Sequence, residues 1–168
     1  MKISSPKLPL TPKEKVQLKT CKIKLKEIPG MDISHLSKCL QTSFERTKYI
    51  RGLAQFQLIP SIGPKVAQRV IDLGYYSLEE IQNEDGADLI NRLESLYGYW
   101  EDPCVEDSLR CIVHYAKHPD SEKSWFDFTE ERKRYRQEYG YPIERPQLAW
   151  HEVKNDIGKD NREFQKRK

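Results

Sequence analysis

The chain has 168 residues, 37% of them hydrophobic and 33% charged, with a net charge of +3. That is enough sequence for one packed domain or two small lobes, and no stretch approaches the ~20 apolar residues that a membrane span requires. The opening MKISSPKLPL has no apolar core of the secretory kind, so a cytoplasmic location is expected. Four cysteines, Cys21, Cys39, Cys104 and Cys111, form no CxxC pair, which excludes a zinc ribbon by spacing. Charge is unevenly spread. Residues 1–30 carry eight lysines against two acids, residues 31–78 six bases against three acids, residues 79–131 four against fifteen, and residues 132–168 eleven against six. Such asymmetry points to one face that meets a polyanion and another that does not.

Residues 1–10 hold Pro6 and Pro9 and no pattern, and are expected to be flexible. Thr11, Pro12 and Glu14 then predict a helix start with a capping box. Leu18, Cys21, Leu25 and Ile28 follow at helical spacing, so one helix is expected to run to Pro29-Gly30, with Cys21 and Cys39 as buried thiols. Asp32 or Ser34 caps a short second helix bearing Leu36, Cys39 and Leu40. A third is predicted from Ser43 to Leu58, with Phe44, Tyr49, Leu53 and Phe56 turned inward and Pro60 beyond its end. Pro64 opens a fourth that ends at Gly74, and Ser77 caps a short fifth. Asp85-Gly86 reads as a turn. Leu89, Leu93, Leu96 and Tyr97 form the next stripe, and Val105, Leu109, Ile112, Val113 and Ala116 the one after, in a helix begun by Asp102 or Pro103. Trp125, Phe126 and Phe128 make an aromatic knot, and Thr129 caps a basic helix that stops at Gly140. No run alternates in the manner of a strand. The predicted fold is all-α. It has a flexible segment 1–10, a helical domain 11–82, a helical extension 83–150 and a polar tail 151–168.

The most informative stretch is LAQFQLIPSIGPKVAQRVIDLGYYSLEEI, residues 53–81. Two predicted helices flank Pro60-Ser61-Ile62-Gly63-Pro64. Gly63 is expected to give the backbone an unusual conformation and to leave room for a phosphate. Pro64 presets the first turn of the next helix, whose unpaired N–H groups and positive dipole end can bind an anion. Lys65 adds a point charge, Ala67 lets the helices cross closely, and Ile62 plugs the hairpin into the core. Ile59, Pro60, Ile62, Gly63, Pro64, Lys65, Ala67 and Val70 resemble the helix-hairpin-helix motif of DNA repair and recombination proteins, here spanning residues 52–82. Ser61 stands where that motif carries its first glycine. The resemblance implies binding of duplex DNA through backbone phosphates without reading sequence, by Ser61, Ile62, Gly63, Pro64, Lys65, Arg69 and Arg51, and a monovalent cation held by turn carbonyls. Further segments, LESLYGYWEDPCVEDSLRCIVHYA and WFDFTEERKRYRQEYGYPIERPQLAW, are similar to the small bacterial helix-hairpin-helix proteins of the pathogenicity-locus family. That similarity covers roughly residues 45–150.

Three other clusters compete for a role. Arg132, Lys133, Arg134, Arg136 and Arg145 interleave with Tyr135, Tyr139 and Tyr141, as in a single-strand stacking platform or as a solvated basic face over buried rings. Cys104, Cys111, His114 and His118 hold metal-ligand types, but Cys104 and Cys111 lie two turns apart on one helix, so thiols and hydrogen-bonded histidines are the plainer expectation. Glu101, Asp102, Glu106 and Asp107 could serve a metal-dependent nuclease, or could cap a helix and pair with Arg110. The expected function is sequence-independent DNA binding in repair, recombination or DNA processing, without catalysis. The alternatives are an interaction module that meets a partner, or a second copy, through the acidic segment 79–131, and the nuclease.

Overall fold

In the computed structural model, residues 4–153 are described, and their regular structure is helical. Eight α-helices run α1 Pro12–Thr20, α2 Ile33–Leu40, α3 Phe44–Phe56, α4 Pro64–Asp72, α5 Leu78–Ile81, α6 Gly86–Tyr97, α7 Pro103–Lys117 and α8 Thr129–Tyr139. Two 3₁₀ segments, Leu25–Gly30 and Trp125–Phe128, lie between them. Among the described residues there is no strand, only a single parallel bridge between Trp100 and Ala149. The segment 154–168 of the polar tail lies outside the described residues.

Helix starts follow their capping chemistry. Thr11 Oγ1 accepts the Glu14 amide at 3.1 Å while Glu14 Oε1 accepts the Thr11 amide at 2.8 Å. Asp32, Ser43, Ser77 and Asp102 cap α2, α3, α5 and α7. Asp85 caps α6 rather than making a free-standing turn, accepting from the Ala87 and Asp88 amides. Thr129 is no cap: it is the first residue of α8 and its hydroxyl donates to Asp107 Oδ2 at 2.8 Å.

The first helix is much shorter than its apolar spacing predicts. It stops at Thr20 because Lys22 takes a left-handed conformation, φ 58°. The Ile23 amide then reaches back to the Leu18 carbonyl and the Lys22 amide to that of Lys19. This is the Schellman ending that Gly74, φ 98°, gives to α4, where Tyr75 and Gly74 bond the carbonyls of Val70 and Ile71. The break leaves Leu18 and Ile28 buried and turns Cys21 outward, so it is an exposed thiol and not a core residue. Cys39 is half-buried.

Helix α3 lies between two apolar clusters. Ile50 and Ala54 join Leu18, Ile28, Leu36 and Leu40 on one side. Leu53 and Phe56 join a larger cluster that runs through Ile59, Val70, Ile81, Leu89, Leu109, Ile112 and Phe128 on the other, and so draws on both sides of residue 82. Phe44 and Leu96 are exposed rather than inward-facing. Gly52 marks the closest approach: a Cβ there would sit 2.9 Å from the Tyr76 carbonyl oxygen and 2.9 Å from Ile71 Cδ1. The segment before α1, patternless in sequence, is tied down at Lys7, which exchanges two main-chain hydrogen bonds of 2.9 Å with the Gln57 side chain.

Candidate nucleic-acid interface

The hairpin between α3 and α4 is built on a tight turn, Ile59 to Ile62, closed by the Ile62 amide on the Ile59 carbonyl at 3.1 Å. Pro60 occupies its second position and Ser61 its third, with φ 69°. A positive φ at the third position after proline is the type II pattern, which favours glycine or asparagine. Ser61 adopts it while its hydroxyl accepts the Trp125 amide at 2.9 Å, fastening the turn to the 3₁₀ segment sixty-four residues away. Ile59 and Ile62 are buried and anchor both arms of the turn.

Gly63 differs from expectation. Its φ of −98° and ψ of −174° are ordinary extended backbone open to any residue, and a Cβ there would meet nothing within 4 Å. What glycine contributes is the absence of a capping side chain. Helix α4 begins with Pro64, and no side chain caps it. The Lys65 and Val66 amides precede its first helical bond, from the Ala67 amide to the Gly63 carbonyl. Pro64 and Lys65 are exposed. Ala67, fully buried, lies on the packed face as its size predicts.

The structure separates the other proposed contact residues. Arg69 is committed: its Nε donates to Glu101 Oε2 at 2.8 Å and its Nη1 to the Lys65 carbonyl at 3.1 Å. Arg51 donates from Nη1 to the Met31 carbonyl at 3.3 Å, beside the first 3₁₀ segment and not the hairpin. Lys7, which is exposed, shares a groove with Pro9, Pro64 and Gln68. Nothing in the sequence signals Lys7, because its position depends on a pairing fifty residues distant. On the opposite flank, Leu58 to Gly63 share a groove with Tyr115, Asp120 and Glu122, so carboxylates border that edge.

Part of the acidic segment is neutralised inside the fold. Glu94, Glu101, Glu106 and Asp107 are all buried, at 1–2% exposure. Arg145 holds Glu94 at 2.8 Å, Arg110 and Arg136 hold Glu106 at 2.9 and 3.0 Å, and Arg132 holds Asp107 at 2.6 Å. Asp107 therefore pairs with α8, and Arg110 takes Glu106 alone of the two expected partners. The same arginines cover tyrosine rings. Arg110 and Arg136 lie over Tyr135 at 4.9 and 5.2 Å, and Arg145 over Tyr141 at 3.7 Å. The arrangement is a basic helix clamped to acids beneath it, and Tyr139 is the most exposed of the three rings.

The candidate metal residues do not converge. Cys111 is buried and donates to the Lys123 carbonyl at 3.6 Å, while the His114 and His118 rings lie 4.8 Å apart, tilted by 42°. Among the described residues no three of His, Cys, Asp and Glu are grouped to hold an ion. Burial pushes the Cys104 thiol up to about 12, and that of Cys111 up to about 11. Burial, then the Lys123 charge and His118, lowers the pKa of His114.

These features define an all-helical protein whose α3–α4 hairpin presents an uncapped helix start with Lys65 exposed in its first turn. The chain belongs to the pathogenicity locus family, whose model matches residues 49–134, from α3 into α8 and just over half of the chain. No curated protein and no solved structure matches it. No helix among the described residues is long and apolar enough to cross a membrane.

Proposed function

We propose that the protein binds DNA through its phosphate backbone, without reading sequence, and that the α3–α4 hairpin is the contact. The observation that carries this reading is the start of α4: Gly63 and Pro64 leave the first-turn amides uncapped, with Lys65 exposed beside them and Lys7 across the groove. Main-chain donors at a helix N-terminus suit a phosphate oxygen, and lysines add charge without base preference. The resemblance to helix-hairpin-helix proteins supports duplex DNA as the ligand and repair, recombination or DNA processing as the setting. In this reading Ser61 and Ile62 hold the turn, Gly63, Pro64 and Lys65 meet one phosphate, and Lys7 meets a neighbour. Arg69 supports Lys65 through its carbonyl, and Arg51 takes no part.

A monovalent cation would draw on the turn carbonyls. That of Ile59 accepts the Ile62 amide, and those of Pro60, Ser61 and Ile62 accept no backbone hydrogen bond from the described residues. Replacing potassium by tetramethylammonium at constant ionic strength should weaken DNA binding if such an ion contributes.

The test is fluorescence anisotropy with two unrelated duplexes and their single strands, each at two salt concentrations. Equal affinity for both duplexes, falling steeply with salt, is the expected result, because bound phosphates release counterions. Affinity that follows sequence and ignores salt contradicts the proposal. Absence of binding at low salt moves the hairpin to a packing role and leaves an interaction module, meeting a partner through the exposed acids of 79–131, as the reading to pursue.

A further inference from the structure

We infer that Cys21 and Cys39 are a redox pair that closes a reversible intramolecular disulfide under peroxide. They lie outside the family-matched residues, at the ends of α1 and α2, and the proposal is independent of DNA binding.

The two thiols are set against each other by the early end of α1. The left-handed Lys22 turns the chain so that Cys21, cap of α1, lies over the last turn of α2, with its Sγ 3.9 Å from the Cys39 carbonyl oxygen. The neighbouring Cys21 thiol, and then burial, hold the Cys39 thiol above the ordinary cysteine value. His35, one helical turn before Cys39, brings Nε2 to 3.9 Å from the Cys39 sulfur. Cys21 is exposed, so an oxidant reaches it, whereas Cys39 is half-buried behind it. Cys111 forms a contrast: it is buried and donates to the Lys123 carbonyl, with no second cysteine as partner.

The chemistry balances with hydrogen peroxide as oxidant. The Cys21 sulfur attacks one peroxide oxygen, the O–O bond breaks, and the thiol proton leaves with the departing oxygen as water, giving Cys21 sulfenic acid. The Cys39 sulfur then attacks the Cys21 sulfur. Its proton passes to His35 Nε2 and on to the departing hydroxide, which leaves as a second water as the S–S bond forms. Both sulfurs are oxidised by one electron and both peroxide oxygens are reduced. A dithiol reverses the bond by exchange.

The experiment treats the full chain with stepwise equivalents of hydrogen peroxide, followed by intact mass and peptide mapping. The expected product is a monomer lighter by two hydrogens, with the Cys21 and Cys39 peptides linked, Cys104 and Cys111 still alkylatable, and full reversal by dithiothreitol. The linked form should melt higher by roughly 5 °C or more, since the bond restrains the unfolded chain. In Cys39→Ser, Cys21 should stop at sulfenic acid, trapped by dimedone. In His35→Asn, loss of the Cys21 thiol should be unchanged while linkage slows several-fold. Cys21 proceeding to sulfinic acid with no link in the unsubstituted chain, a link to another cysteine, or a link only between molecules would overturn the proposal.

Discussion

At the residue scale, the turn of the hairpin rests on a serine in a glycine's conformation. Ser61 combines the cost of a left-handed φ with the gain of a hydrogen bond from Trp125. The two effects are separable. Ser61→Ala keeps the strain and loses the bond, whereas Ser61→Gly loses the bond and removes the strain. Alanine should therefore be less stable than glycine by about 1 kcal/mol in urea unfolding, with the wild type close to the glycine variant. Equal stabilities for the two variants would show that the turn is not strained. His114 gives a pH dependence. Burial, ahead of the charge of Lys123 and the neighbouring His118, lowers its folded pKa, so the folded state binds fewer protons than the unfolded chain. The stability it contributes is present above the unfolded value near ~6.5 and is lost as pH falls through the lower folded value. His114→Gln should flatten the stability profile in that window, and an unchanged profile would assign the effect elsewhere.

At the element scale, most helix starts were legible because their signals are local: Thr11-Glu14, Asp32, Ser43, Ser77 and Asp102 all cap as their residue types imply. Helix ends were legible where glycine marks them, at Gly74 and Gly140, each with positive φ. Lys22 carries no such mark, so the apolar spacing of Leu18 to Ile28 suggested a helix that a left-handed lysine interrupts. The crossing of α3 against the segment after α4 was illegible for a different reason. Gly52 lies mid-helix, where sequence offers no motive for glycine, and only the neighbouring Tyr76 carbonyl explains it. Because backbone and not a mobile side chain opposes a Cβ there, Gly52→Ala should destabilise the fold by about 1–3 kcal/mol despite alanine's better helix propensity. A neutral or stabilising result in thermal unfolding would show that the two elements can part without cost.

At the scale of the whole molecule, the charge blocks of the sequence overstate the negative surface. The acid-rich segment reads as a negative face, yet four of its carboxylates are buried against arginines supplied by α4, α7, α8 and the chain beyond α8. Removing one partner from such a site leaves the other charge buried without its counterpart. Asp107→Ala should therefore cost about 3–5 kcal/mol and loosen α8, which contributes no buried apolar residue. Hydrogen exchange that leaves α8 as protected as before would contradict this. The turn between α3 and α4, by contrast, was legible at Pro60 and Pro64, which act locally, though not at Gly63, whose backbone is ordinary extended chain. Its surroundings were not: Lys7 arrives through Gln57, while Arg69 and Arg51 are drawn away by Glu101 and Met31. The most direct test of the phosphate-clamp account is the salt dependence of duplex affinity for the wild type beside Lys65→Glu. The account predicts weaker binding of Lys65→Glu to every sequence alike, with a slope of log affinity against log salt shallower by about one. An unchanged slope and affinity would take the hairpin out of the interface.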